Sequence, residues 1–93
     1  MNHYETIIII NSNLEDAAIK SNIEKVTDLI AKHGTVDSTE EWGKRKLAYP
    51  IQKQNEGYYV LITFSSNPDF IDELERVYNI TDEIIKFIVV KKD

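Results

Sequence analysis

The sequence predicts an α+β domain built as two successive strand–helix–strand units, in the order βαββαβ. Three observations carry this expectation. Two short segments, Tyr4 to Asn11 and Tyr58 to Phe64, are apolar on both faces, as strands inside a sheet are. Each is followed by a similar helix-start sequence, NSNLED and SSNPDF. Two amphipathic stripes with three- and four-residue spacing then separate these strands from two further extended segments.

YETIIIIN is rich in β-branched residues and too short for a helix, so it reads as a central strand. Asn13 follows as a helix N-cap with Asp16 in capping-box position, and Glu15 and Asp16 suit the positive end of the helix dipole. Ile19, Ile23, Val26, Ile30 and His33 recur at helical spacing, with Leu29 widening the stripe. Gly34 stands where a left-handed C-cap is expected, which bounds the helix at Leu14 to His33. Thr35 to Tyr49 is extended and mixed, with Gly43 as a bulge and Pro50 near the strand's end.

QKQNEG reads as a hairpin loop, which makes the second and third strands antiparallel neighbours. In the second helix Asn67 is the expected cap and Pro68 the first helical residue. Phe70, Ile71, Leu74, Val77 and Tyr78 form its apolar stripe, and it ends near Asn79. EIIKFIVVKK is the fourth strand. The order is that of the ferredoxin-like sandwich, with a four-stranded antiparallel sheet. Right-handed crossovers place both helices on one sheet face and leave the other open.

The 93 residues suffice for one domain spanning 1–93, and 42% hydrophobic with 29% charged residues is the composition of a folded globular chain. With no cysteine there is no disulfide, thiolate nucleophile or thiolate metal site. The longest apolar run, Ile7 to Ile10, is far too short to span a membrane, and the N-terminus lacks a signal-peptide pattern. The expected location is the cytoplasm.

The formal net charge of -5 argues against indiscriminate nucleic-acid binding, but its distribution is uneven. Residues 42–66 hold four bases and one acid, whereas the flanking segments are acidic. Lys44, Arg45 and Lys46 are consecutive, flanked by Trp42, Leu47 and Tyr49. Such a run suits an anionic surface: Arg45 can hold a phosphate bidentately while the two lysines act as mobile charges. In a strand Arg45 points away from Lys44 and Lys46, so the three serve one phosphate surface only from an edge or a protrusion. Lysines on an edge strand also guard against edge-to-edge pairing.

Alternation along the third and fourth strands leaves large apolar groups on the bare face whichever set meets the helices, and a contiguous apolar patch marks a partner surface. Among the candidates are Tyr59, Leu61, Lys86 and Ile88, with Trp42 and Tyr49 divided between packing and interface. The RNA-recognition motif shares this fold, but EGYYVLITF matches its third-strand signature poorly. Gly57 and Tyr58 fit, whereas Glu56 replaces a cation and Tyr59 a small residue.

EWGKRKLAYPIQKQNEGYYVLITF, with HYETIIII at the start, IDELE in the second helix and IVVKK at the end, closely resembles the bacterial small-subunit ribosomal protein S-six family over essentially the whole chain. The resemblance implies a non-enzymatic constituent of the small ribosomal subunit. Members bind ribosomal RNA together with a protein partner, ribosomal protein S-eighteen. By resemblance, Lys44, Arg45 and Lys46 map onto the family's basic segment and Tyr4 onto an aromatic near its N-terminus. Lys91 and Lys92 are further RNA candidates. Asn2 stands where members commonly have Arg, which weakens any phosphate contact from that position.

Enzymatic readings find little support. The three glycines, Gly34, Gly43 and Gly57, form no phosphate-binding loop. His3 and His33 lie thirty positions apart with no ligand-like pattern, so neither a metal site nor a cofactor is expected. The runner-up is a small regulatory or assembly domain that dimerises through its open face. The apolar patch and acidic helices are accounted for by that reading, the cation run less well, and a monomer is expected for the isolated chain.

Overall fold

The computed structural model describes residues 1–92. The elements are β1 (Asn2–Asn11), α1 (Asp16–His33), β2 (Gly34–Ile51), β3 (Gln54–Ser66), α2 (Asp69–Ile80) and β4 (Ile84–Lys92). The sheet order is β2-β3-β1-β4 with every neighbouring pair antiparallel. Each helix therefore links two strands that flank a third, the split βαβ arrangement expected from the sequence. The two strands apolar on both faces, β1 and β3, are central, while β2 and β4 are edges.

Tyr4, Thr6, Ile8 and Ile10 of β1 and Val60, Ile62 and Phe64 of β3 face the helices and are buried. Ile19, Ile23, Val26 and Ile30 of α1 and Phe70, Leu74 and Tyr78 of α2 pack onto them. Full burial of each such aliphatic side chain contributes about 1.5–3 kcal/mol. The stripes read from the sequence are these core faces. A second, smaller cluster of Ile9, Leu47 and Ile85 lies on the opposite face, with Ile51 and Tyr59 against it.

Several boundaries differ from expectation for local reasons. Asn13 does not cap α1. Asn11 Oδ1 accepts its backbone N–H at 2.9 Å, and the Asn13 side chain donates to Gln54 Oε1 at 3.0 Å. Two more residues, Leu14 and the extended Glu15, precede α1, which starts at Asp16 with no side-chain cap. Likewise α2 has no side-chain cap from Asn67, although Pro68 already has helical dihedrals (φ -58°, ψ -30°).

Gly34 is not a left-handed cap. Its φ of -174° is extended, and it opens β2. What requires glycine there is close approach, since a Cβ would overlap the Ser65 carbonyl oxygen. Gly34→Ala is expected to destabilise the fold by about 1–3 kcal/mol, the usual cost of overpacking, as a lower urea midpoint with an unchanged m-value. An unchanged midpoint would show that β2 can shift aside freely.

Thr6 carries a polar group into the core, where it finds its partners. Thr6 Oγ1 donates to the Ile88 carbonyl at 2.8 Å and lies 3.1 Å from the Tyr78 hydroxyl. With its own proton committed, Thr6 accepts from Tyr78. Burial pushes the Tyr78 phenol well above the usual tyrosine range. Above about pH 10 the unfolded chain releases a proton that the folded chain retains, so stability falls as pH rises, by up to about 1.4 kcal/mol per pH unit. Urea melts of parent and Tyr78→Phe across this region check this: the variant should lose much of the alkaline decline.

Candidate nucleic-acid interface and partner face

The β2–β3 hairpin runs past the sheet. Asn11, the last residue of β1, pairs with Gly57, so Gln54 to Glu56 of β3 have β2 as their one neighbouring strand, with Ser12 and Asn13 of the turn after β1 bonded to Glu56 and Gln54 on the other side. The turn is Gln52–Lys53, both with positive φ (50° and 65°), as a tight two-residue hairpin turn requires. The strand does not end at Pro50 as expected but continues to Ile51. A proline is tolerated there because the strand is an edge and its register with β3 shifts between Lys46 and Ile51.

Along this hairpin Lys44 lies across from Tyr58, Arg45 from Gly57 and Lys46 from Glu56. Lys44 and Lys46 therefore project to the helix side and Arg45 to the open side of an exposed edge. The geometric condition for all three cations to meet one anionic surface is satisfied. Among the described residues the ion pairs are Arg76 with Glu73 and Lys92 with Glu5, so none of the three cations is neutralised by a carboxylate at ion-pair distance. Tyr58 donates to Glu41 Oε1 at 2.7 Å, which pins β2 to β3 and pushes the Tyr58 phenol upward.

Gly43 is at a bulge, as read from the sequence: the register shifts between Glu41 and Gly43, and Gly43 has φ 82°. The extra residue is Trp42, whose ring lies nearly parallel to Tyr59 (centroids 6.4 Å, 14° between planes). Arg45 Nε donates to the Trp42 carbonyl at 3.4 Å, and its guanidinium carbon is 5.8 Å from the indole centroid.

Residues Leu47 to Pro50 have no counterpart across on β3 and wrap over the open face. Leu47 is buried against Ile9 and Ile85. The Tyr49 hydroxyl accepts from Lys86 Nζ at 3.0 Å, joining this segment to the opposite edge strand. The same bond lowers the Tyr49 phenol and raises the Lys86 ammonium relative to their ordinary values. The face is thus not open over its whole length, because its hairpin end is partly covered.

Beyond that cover lies the apolar patch. Tyr59, Leu61, Lys86 and Ile88 are on this side, together with Ile7 and Val90. Ile88 and Val90 are 47% and 49% exposed. The period-two alternation of β1 and β4 was the signal that could have found Ile7 and Val90 once one face was assigned.

The six candidate RNA contacts do not converge. Tyr4 is buried, its ring stacked on Phe64 (centroids 5.4 Å), because its register places it with Thr6 and Ile8 toward the helices. Neither ring face is free for a base, so the part suggested for Tyr4 by resemblance is not available to its ring. Lys91 and Lys92 lie across from Tyr4 and His3, at the far end of β1 from Arg45, about 27 Å along the strand. Lys92 is 3.6 Å from Glu5 Oε2.

Neither histidine is near a ligand set. His3 Nδ1 is 2.8 Å from Ser65 Oγ, which donates to Asp37 Oδ2 at 3.2 Å, while the His33 ring stacks on Phe70 at 4.7 Å. Among the described residues no group of three or more His, Cys, Asp or Glu side chains could hold a metal ion. Nor, among the described residues, is any helix long and apolar enough to cross a membrane.

Comparison with known proteins gives a consistent picture. The family model of Ribosomal protein S6 matches residues 3–91. The small ribosomal subunit protein bS6 of Clostridium novyi (strain NT) is 51% identical, covering 100% of this chain and 99% of the relative. That of Caldanaerobacter subterraneus subsp. tengcongensis is 47% identical with the same coverage. The crystal structure of 30S ribosomal protein S6 from Thermotoga maritima superposes with a TM-score of 0.94 at 34% identity, covering 98% of this chain and 87% of that one.

Proposed function

Since the chain belongs to the ribosomal protein S6 family and is a small ribosomal subunit protein, we propose that it binds small-subunit ribosomal RNA through the Lys44–Arg45–Lys46 edge, jointly with ribosomal protein S-eighteen docked on its open sheet face. The observation that carries this is three consecutive cations, with no ion-pair partner among the described residues, on the exposed edge of a protruding hairpin in an otherwise acidic chain. An acidic body disfavours RNA elsewhere, so binding is local and a basic partner adds to it. Lys91 is a secondary contact at the far end of the sheet, and Lys92 divides its charge with Glu5.

For the partner, the centre of the open face offers Leu61 and Ile88 with Ile7 and Val90, bounded at the hairpin end by Tyr49 and Lys86. The reading is tested by measuring association with a small-subunit ribosomal RNA fragment, with and without S-eighteen. Binding that requires the partner and weakens steeply with salt supports it. No binding under either condition would sink it. Ile88→Glu is expected to weaken association with S-eighteen by at least about tenfold, because it buries an uncompensated charge in the contact, while circular dichroism stays unchanged. Sedimentation of the chain alone separates this from the self-dimerising alternative: a monomer is expected.

A further inference from the structure

Trp42 is the only tryptophan in the chain and is 39% exposed. It belongs to neither buried cluster. A bulge that costs β2 its regular pairing is what brings this ring onto Tyr59, and the positive φ of Gly43 is part of that bulge. Beside it, Arg45 is held through Nε by the Trp42 carbonyl, leaving its two terminal nitrogens without a protein acceptor among the described residues. Aromatic surface and an unneutralised, preoriented guanidinium thus occupy one place, with Lys44 and Lys46 on the same short segment. A ligand that is flat and apolar at one end and anionic at the other matches this arrangement, and an unpaired nucleotide is such a ligand.

We propose that Trp42, Tyr59 and Arg45 form a stacking site for one unpaired RNA base at the hairpin end of the open face, with Arg45 holding the adjacent phosphate. This rests on the reading of the hairpin as an RNA-contacting edge and adds that a base is held there as well as backbone. Trp42 and Tyr59 then serve RNA, and the protein partner occupies the face from Leu61 and Ile7 toward Val90. The site differs from the sheet-centre aromatics of the RNA-recognition motif, because it is built on an edge bulge.

Trp42 fluorescence reports on the site directly. Hexa-adenylate should quench it saturably at low salt, whereas a ribose-phosphate oligomer of the same length without bases should not. With the small-subunit ribosomal RNA fragment and S-eighteen, Trp42→Leu should lower affinity by about tenfold, within the range for one stacked base. Trp42→Phe, which keeps a π-face, should stay within about twofold of the parent, with circular dichroism confirming the fold of both. Equal quenching by the base-free oligomer, or parent-like binding by Trp42→Leu, would overturn the stacking site. If Lys44→Ala/Arg45→Ala/Lys46→Ala still weakens binding in that case, the RNA-contacting hairpin stands without it. Weakening of S-eighteen association by Trp42→Leu in the absence of RNA would assign the ring to the protein interface and likewise overturn the proposal. Failure of the parent chain to bind the fragment at all removes the hairpin reading and the stack together.

Discussion

Replacing Lys44, Arg45 and Lys46 together by alanine is expected to leave the fold intact and to weaken partner-dependent RNA binding by on the order of 10²-fold at about 0.15 M salt. All three side chains are exposed on an edge strand, so little packing is lost. Each phosphate contact contributes roughly 0.7–0.9 to the slope of log affinity against log salt concentration, so three contacts flatten it by about two to three units. The slope decides more than the affinity does. A partner that carried all the phosphate contacts would leave it unchanged, and the cations would then be edge protection of the kind lysines provide on exposed strands. Single substitutions should distribute unequally, since Arg45 alone is preoriented, by its bond to the Trp42 carbonyl.

Phe64→Ala is expected to destabilise the fold by about 3–5 kcal/mol, a large fraction of the roughly 5–15 kcal/mol that holds a domain of this size together. Phe64 is fully buried and is the hinge of the core: Tyr4 stacks on it at 5.4 Å and Phe70 meets its edge at 6.4 Å. Its removal opens a cavity where β1, β3 and α2 converge, beneath strands whose backbones are tied to both edges. Chemical denaturation checks this directly. A loss below about 1 kcal/mol would mean that Tyr4 and Phe70 close over the gap, which close-packed interiors seldom allow.

These two variants separate what the chain needs to fold from what it uses to bind. The core positions were legible because burial imposes a period: Ile19, Ile23, Val26 and Ile30 on one helix and Phe70, Leu74 and Tyr78 on the other are the buried residues of those helices. Local capping was legible less well. Asn13 and Gly34 have the residue types of caps, yet Asn13 is used to tie the helix entry to Gln54, and Gly34 is needed for a close strand contact. Both uses depend on β3, which is far away in sequence, so no local pattern could reveal them.

The candidate site divides in the same way. The cation run was visible as a charge anomaly, and its alternation about Arg45 followed from strand geometry. That the strand is an edge, that the hairpin outruns β1, and that among the described residues no carboxylate pairs with Arg45 required the tertiary structure. Tyr4 shows the converse, because a resemblance at one position said nothing of which sheet face that position occupies. By itself the sequence determined the order and kind of the elements, the two helix faces that form the core and the place of the basic segment, because each follows from periodicity or composition over a few residues. Tertiary structure decided which cations are free, where Trp42 rests, how Leu47 to Pro50 cover part of the sheet and which apolar residues remain exposed. Those depend on strand register and bulges, where a slip of one residue turns every side chain to the other face.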